Sequence, residues 1–213
     1  MRFVTRDALS AWLDDLTEET TLIAPRTVDG IVLYRPVSSS EEITFEYTRP
    51  KMSAKAAVFP STERILYIEK GSDGVTLDEP ALEREQVVFG LRPCDAHGYA
   101  TLDGVFMDKE PVDWIYARRR QVTTLVGLAC PQMWDGCFCT SVGGAPDDPS
   151  HLDVLLREVD GGYAVEAVTE NGRAFIADLE LQERDGELPA PELGDEVVPV
   201  PPPENWPARF GDR

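Results

Sequence analysis

Two stretches, VVFGLRPCD at residues 87–95 and TTLVGLACPQMWDGCFC at residues 123–139, carry the strongest structural signal in the chain. Each begins as a short apolar run that is typical of a buried β-strand and continues directly into a cysteine. Functional sites of α/β proteins lie at the carboxyl ends of the strands. The two stretches therefore predict buried strands at residues 87–91 and 123–128, with Cys94 and Cys130 at their carboxyl ends.

Four segments outside these strands have the apolar periodicity of amphipathic helices. The first follows Thr5, whose hydroxyl group is a suitable N-cap, and it places Leu9, Leu13 and Leu16 on one face. The other three predicted helices cover residues 96–107, 114–120 and 172–179.

Short runs rich in β-branched and aromatic residues, bounded by turn residues, predict further strands. They lie at residues 21–24, 30–34, 43–47, 56–59, 65–68, 154–159 and 163–167. The mixture predicts an α/β fold (mixed α+β), with short strands and few helices around a four-cysteine loop. We expect one domain over residues 1–188, followed by a Pro-rich, acidic linker or tail over residues 189–213.

The composition limits the classes of partner. With 39 acidic and 20 basic residues, the net charge is −19, which argues against nucleic acid and against an anionic membrane surface. The acidic surface serves either solubility or the docking of a basic partner. No signal peptide and no membrane-spanning run is evident, so the sequence predicts a cytoplasmic location. Thiols stay reduced there, and clustered cysteines then indicate a metal or a catalytic site.

The chain has four cysteines, Cys94, Cys130, Cys137 and Cys139, spaced C-x35-C-x6-C-x-C. Confinement to one short window favours a shared site over four separately buried thiols. Cys137 and Cys139 are separated by one residue, a spacing that disfavours a disulfide between them. Thiolates select zinc, copper(I) or iron–sulfur clusters, and we expect all four to bind one [4Fe–4S] cluster. The spacing leaves zinc open, and the alternative function is a zinc-stabilised interaction module with no redox role.

The residues around these cysteines have more than one interpretation. His97 is expected to be packed or hydrogen-bonded, at a position from which it could touch a ligand. The basic run 118–120 is either a solvated helix face or a charge that offsets a cluster or binds a partner's carboxylates. Four apolar side chains of the loop could exclude water from a cluster; they are Met133, Trp134, Phe138 and Val142. Trp134 and Phe138 could instead form a docking edge.

Three phrases of the chain resemble a known family. They are FGLRPCDAHGYATLDGVF at residues 89–106, DWIYARRR at 113–120 and LVGLACPQMWDGCFCTSVGGAP at 125–146. They are similar to the iron–sulfur β subunits of cytoplasmic sulfhydrogenases and to the related A subunit of anaerobic sulfite reductase. The upstream segment KMSAKAAVFPSTERILYIE, at residues 51–69, looks like the corresponding segment of that family.

The resemblance implies a function and a set of partners. It implies that Cys94, Cys130, Cys137 and Cys139 bind the cluster. It also implies an electron-transfer role, without catalysis, between a flavin-containing subunit that oxidises NAD(P)H and a catalytic reductase or hydrogenase subunit. Members of the family continue into a ferredoxin-type module with further cysteine sets, which we expect either beyond this sequence or on another chain. This chain has no nicotinamide or flavin fingerprint of its own.

Overall fold

The computed structural model describes residues 1–47, 49–72, 74–80 and 84–191. Within them the strands are β1 Arg2–Thr5, β2 Thr21–Val28, β3 Ile31–Pro36, β4 Tyr67–Gly71, β5 Gly74–Asp78, β6 Gln86–Leu91, β7 Thr123–Leu128, β8 Val154–Val159, β9 Gly162–Ala167 and β10 Gln182–Glu183. The helices are α1 Arg6–Glu19, α2 Pro93–Phe106, α3 Trp114–Gln121 and α4 Glu170–Phe175, with short 3₁₀ turns at Ser40–Glu42, Ala54–Ala57 and Cys139–Val142. The predicted tail lies outside the described residues from residue 192 onward.

The central sheet has eight strands in the order β10-β1-β9-β8-β7-β6-β2-β3. Strands β2, β6, β7 and β8 pair in parallel, and the strands on both sides of this group pair antiparallel. Strands β4 and β5 form a separate hairpin. The arrangement confirms the predicted mixed α/β class, with a parallel centre that needs cover on both faces.

Side chains of the parallel strands alternate between two apolar layers. On β6, Phe89 packs in the layer that contains Leu13 of α1, whereas Val88 packs in the layer that contains Tyr99 of α2. Each of these side chains is fully buried. Because successive strand residues point to opposite faces, helices are packed against both faces of the sheet. Helix α3 also covers the second face, through Tyr116.

The predicted N-terminal helix is confirmed. The backbone N–H of Ala8 donates to the hydroxyl oxygen of Thr5 at 3.1 Å, which satisfies one of the free N–H groups at the start of α1. Leu9 and Leu13 of this helix are buried.

Two predicted strands are wrong. Residues 43–47 form no strand, although Ile43 is buried and Phe45 packs against the core. Residues 56–59 begin within the 3₁₀ turn Ala54–Ala57, whose start is capped by Ser53. Residues 43–47 bury Ile43 and Tyr47 without joining a ladder, and of residues 56–59 only Val58 is buried, so neither apolar pattern reflects strand pairing.

No helix among the described residues is both long enough and apolar enough to cross a bilayer.

The β8–β9 turn provides a test of the sheet. A Cβ atom added at Gly162 would lie 2.0 Å from the backbone oxygen of Val4, on the strand that pairs with β9. We expect Gly162→Ala to lower the free energy of unfolding by about 3 kcal/mol. The reason is that the backbone of a paired strand cannot move away from the added methyl group without breaking its hydrogen bonds. Urea denaturation followed by circular dichroism measures this loss.

The neighbouring glycine is the matched control. Gly161 has φ +80° and nothing within 4 Å of an added Cβ atom. Gly161→Ala should therefore cost only the left-handed backbone penalty of about 1–2 kcal/mol. Equal losses in the two variants would contradict this account of the β1–β9 pairing.

Candidate metal centre

The first two cysteines follow the carboxyl ends of neighbouring parallel strands. Strands β6 and β7 pair with Val88 opposite Leu125. Cys94 comes three residues after the end of β6, and Cys130 comes two residues after the end of β7. Since the strands run side by side in the same direction, both cysteines arrive at the same edge of the sheet.

A β-bulge at Gly90 turns the chain toward this edge. The register between β6 and β7 shifts between Phe89 and Leu91, and Gly90 has φ +75°, a conformation that glycine adopts readily. The hydroxyl groups of Tyr34 and Tyr47 both donate to the backbone oxygen of Gly90, with 2.9 Å for Tyr34. The bulge thus changes the direction of the backbone four residues before Cys94.

Cys94 lies in the first turn of α2. Pro93 begins the helix, a position where its missing N–H costs no hydrogen bond. The backbone N–H of Asp95 donates to the Arg92 oxygen at 2.9 Å, and the same backbone group acts to lower the pKa of the Cys94 thiol. The first cysteine is therefore held by a strand end and a helix start together.

The other two cysteines lie on the loop after β7. The N–H of Cys137 donates to the oxygen of Trp134 at 3.0 Å, and the N–H of Trp134 donates to the Cys137 sulfur at 3.4 Å. Gly136, with φ +84°, makes this tight turn possible. Cys139 begins the 3₁₀ turn that Gly143 ends, and the backbone of Thr140 acts to lower the pKa of the Cys139 thiol. A backbone donor therefore points at the Cys137 sulfur of this loop.

The structure brings all four predicted ligands into one neighbourhood. Burial raises the pKa of the Cys94, Cys130 and Cys139 thiols, and negative charge on the neighbouring thiols raises it further. These electrostatic interactions join all six possible pairs of the four cysteines. Cys130 is the extreme case, since burial raises its pKa to about 12 although Arg92 acts to lower it.

The four cysteines, as the structure places them, do not form a site for a single metal ion. Cys94 and Cys137 are exposed, and Cys130 and Cys139 are half-buried. Among the described residues, no three Cys, His, Asp or Glu side chains lie close enough together to hold one metal ion. Thiolates at about 2.3 Å from one zinc ion must approach one another to about 4 Å.

Arg92 is the site residue that sequence reasoning missed. It is 4% exposed, and its two terminal nitrogens donate to the oxygens of Leu128 (3.2 Å), Ala129 (3.0 Å) and Tyr47 (2.5 Å). Its guanidinium carbon lies 4.2 Å from the centre of the Tyr47 ring and 5.8 Å from that of Trp134. The signal in the sequence was its position between a buried strand and a cysteine.

The two histidines of the chain meet beside the loop. His97 Nε2 lies 3.0 Å from Asp148 Oδ2, and the rings of His97 and His151 are 4.9 Å apart. Burial acts to raise the pKa of Asp148, but hydrogen bonds from Ser150 and His97 outweigh it, and the pKa is lowered. A Cβ atom on Gly144 would lie 3.4 Å from the Cys139 oxygen and 3.6 Å from His97 Nε2. His97 is thus hydrogen-bonded, as expected, at the border of the cysteine loop.

The basic run on α3 is paired within the chain. Arg118 pairs with Glu79 at 3.6 Å, Arg119 with Glu63 at 2.7 Å and Arg120 with Asp103 at 3.1 Å. Because all three arginines are paired within the chain, they favour a structural role for the run and not compensation of negative charge at the cysteines.

The apolar side chains of the loop divide into two groups. Trp134 and Met133 are half-buried, and Trp134 faces the Arg92 guanidinium. Phe138 is 67% exposed and Val142 is 55% exposed, although they flank Cys139 and its turn. Phe138 and Val142 therefore do not shield the cysteines within this chain, whereas Trp134 packs inward.

Comparison with known proteins identifies one relative. The chain is 30% identical over 164 residues to the β subunit of sulfhydrogenase 2 from Pyrococcus furiosus. The match covers 76% of the chain and 46% of that protein, so it spans less than half of the relative's length. No protein-family model matches the chain, and no solved structure matches it. The similarity supports the resemblance to sulfhydrogenase β subunits.

The thiol environment predicts a reactivity order in the metal-free, folded protein. At pH 8, a pKa of about 12 leaves roughly 10⁻⁴ of Cys130 as thiolate. The higher nucleophilicity of such a thiolate offsets part of this deficit. We expect iodoacetamide to modify Cys130 about fiftyfold more slowly than a free cysteine peptide, with a rate that rises with pH, as measured by peptide mass spectrometry.

The unfolded chain is the control for this measurement. In urea the four thiols should react at similar rates, because burial no longer disfavours the thiolate. Modification of Cys130 in the folded protein as fast as the free peptide would contradict the buried environment described for it.

Proposed function

We propose that this chain is an electron-transfer iron–sulfur subunit of the sulfhydrogenase β-subunit family. One [4Fe–4S] cluster would be bound by Cys94, Cys130, Cys137 and Cys139. The observation that supports this most is the arrival of Cys94 and Cys130 at the carboxyl ends of neighbouring parallel strands, with Cys137 and Cys139 on the loop that follows Cys130. The cluster-binding unit would be residues 1–188, with residues 189–213 as a linker.

The chemistry of the donor set fits such a cluster. Cluster binding requires thiolates, and backbone N–H groups that donate to sulfur stabilise thiolates and adjust a cluster's potential. Trp134 supplies such a donor to the Cys137 sulfur, and the backbone at Asp95 and Thr140 acts to lower the pKa of the Cys94 and Cys139 thiols.

Charge compensation points the same way. Four thiolates around an oxidised cluster leave a net charge of roughly −2. Arg92 lies against the residues that precede Cys130, and its positive charge favours the Cys130 thiolate. A buried cation beside ligand sulfurs fits an anionic group better than four neutral thiols.

The bound cluster would supply a one-electron carrier. The chain's own residues would hold it, donate hydrogen bonds to its ligands and leave one side open, since Cys94 and Cys137 are exposed. Nothing in the proposal requires bond chemistry from a protein side chain.

The partners follow from the family. A flavin-containing subunit that oxidises NAD(P)H would supply electrons, and a catalytic subunit of the hydrogenase, sulfur reductase or sulfite reductase type would receive them. A ferredoxin-type module would extend the path, and the complex would be cytoplasmic. The relative is, by its name, one subunit of a sulfhydrogenase.

Metal analysis tests the proposal directly. Protein purified without oxygen should contain about four irons and four sulfides per chain, as one cubane cluster requires. Cys137→Ser and Cys139→Ser should each lose most of the iron, because a serine oxygen replaces thiolate poorly toward iron. Cys94→Ser should do the same. Colorimetric iron and sulfide assays on each variant measure the result.

A serine on the same turn supplies the control. Ser141→Ala changes a residue between Cys139 and Gly143 and should retain the cluster. Stoichiometric zinc without sulfide in protein never exposed to air would replace the proposal with the zinc-stabilised module. An unchanged cluster in Cys94→Ser would remove Cys94 from the ligand set.

The exposed side of the loop is our candidate contact with the electron-transfer partner. Phe138 is exposed beside two cysteines, and exposed aromatic side chains are favoured at interfaces. Phe138→Ala should weaken binding of the purified complex partner about tenfold or more and leave iron content unchanged. Titration calorimetry under anaerobic conditions measures the affinity.

Two comparisons sharpen this prediction. Phe59→Ala removes an equally aromatic, 51% exposed side chain outside the cysteine loop and should not change the affinity. The isolated chain should oxidise neither NADH nor NADPH. Equal affinity for Phe138→Ala and the unmodified protein would contradict the proposed contact, and dye reduction with NADH at about one turnover per second would contradict the subunit role.

A further inference from the structure

Arg92 differs from the other buried arginines. Arg119 pairs with Glu63 at 2.7 Å, and Arg157 pairs with Glu166 at 2.5 Å. Arg92 is the most deeply buried of the three and makes no ion pair among the described residues. A buried charge without a counter-ion is costly, so an unpaired buried guanidinium points to an anionic group that completes its environment.

The guanidinium group has one unused donor. The terminal nitrogens are bound by three neutral carbonyl oxygens, two of which belong to the residues immediately before Cys130. The remaining nitrogen, Nε, is buried and has no hydrogen-bond partner among the described residues. A buried, unsatisfied N–H group destabilises the fold, which makes it a candidate contact for a bound group.

The position of the side chain connects both cysteine-bearing segments. Arg92 precedes Cys94 by two residues and hydrogen-bonds to the end of β7, from which Cys130 follows. Its charge also acts on the Asp95 carboxyl, although no ion pair forms between them. The guanidinium carbon lies near the rings of Tyr47 and Trp134, and all three residues line a cavity of about 270 Å³. Arg92 is 4% exposed, so salt has little access to its charge.

We propose that Arg92 is the buried counter-ion of the cluster and raises its reduction potential, with Nε–H as a donor toward the cluster or the Cys130 sulfur. The inference rests on the proposed function. A cation in a buried site stabilises the more negative, reduced state, and screening by salt is weak there. Arg92 is a positioning and tuning residue, because it acts on the cluster and not on a substrate.

Redox titration of the cluster-loaded protein tests the inference. With dithionite as the reductant and the EPR signal of the reduced cluster as the readout, Arg92→Gln should lower the reduced-to-oxidised ratio at a fixed potential about tenfold. For a one-electron couple this equals a fall of about 59 mV in the midpoint. The fall should persist in 1 M salt, because the charge removed is buried.

Two further variants separate charge from structure. Arg92→Lys keeps the charge but lacks Nε–H, and it should lower the ratio by a smaller factor of about three. Arg120→Gln is the control, because it makes the same chemical change on α3, where the arginine is paired with Asp103. The midpoint potential of this variant should equal that of the unmodified protein within experimental error. Circular dichroism identifies any variant that has not folded; if Arg92→Gln fails to fold, Arg92→Lys decides.

The outcomes distinguish this inference from the proposed function. Iron and sulfide absent from the unmodified protein would overturn both. A cluster present in the unmodified protein, with the same midpoint in every folded Arg92 variant, would overturn the counter-ion role alone. A cluster retained by Arg92→Lys but lost from folded Arg92→Gln would support the charge requirement. Loss of the cluster from both folded variants would overturn the charge requirement, because it would show that the shape of the guanidinium group is needed.

Discussion

Parallel pairing between β6 and β7 is the constraint on which the rest of the site depends. Every residue of β6 is buried, and the pairing runs in register from Gln86 opposite Thr123 to the bulge at Gly90. Two strands that end side by side place the chains that follow them in contact. The Gly90 bulge then directs one chain into α2, while the other enters the glycine-containing loop. Without this pairing, cysteines separated by 35 residues would share no surface.

Electrostatics sets a second constraint at the same edge. The chain carries a net charge of −19, and burial already disfavours thiolate at Cys130. Adding an anionic group there requires positive charge and oriented N–H donors. The loop supplies a backbone donor to the Cys137 sulfur, and Arg92 supplies a buried cation that makes no ion pair among the described residues. The run on α3, which looked like the natural source of positive charge, is occupied by Glu63, Asp103 and Glu79.

The failures of the sequence pattern have a common physical cause. Residues 43–47 alternate apolar and polar positions as a strand does, yet the segment contributes Ile43 and Phe45 to the core as irregular chain. A hydrogen bond from Thr44 N–H to the oxygen of Pro25 and another between the hydroxyl groups of Thr27 and Thr44 anchor it beside β2. The alternating pattern indicates that every second side chain is buried. Pairing in a β-ladder is only one way to bury these side chains. The same reasoning explains why Phe138 was a candidate shield and lies exposed, since an apolar side chain beside a cysteine says nothing about which way it faces.

The sequence by itself determined the elements whose evidence is local. The strands before Cys94 and Cys130, the capped helix after Thr5 and the β8–β9 hairpin follow from apolar periodicity and turn residues, which act over a few neighbours. The four cysteines as one candidate set also follow from composition. Only the tertiary structure decided which groups face one another. The approach of Arg92 to the end of β7, the contact of His97 with Asp148 and the pairing of each arginine on α3 join residues far apart in the chain. These contacts depend on strand order, register and the bulge at Gly90, and none of these leaves a periodic trace in the sequence.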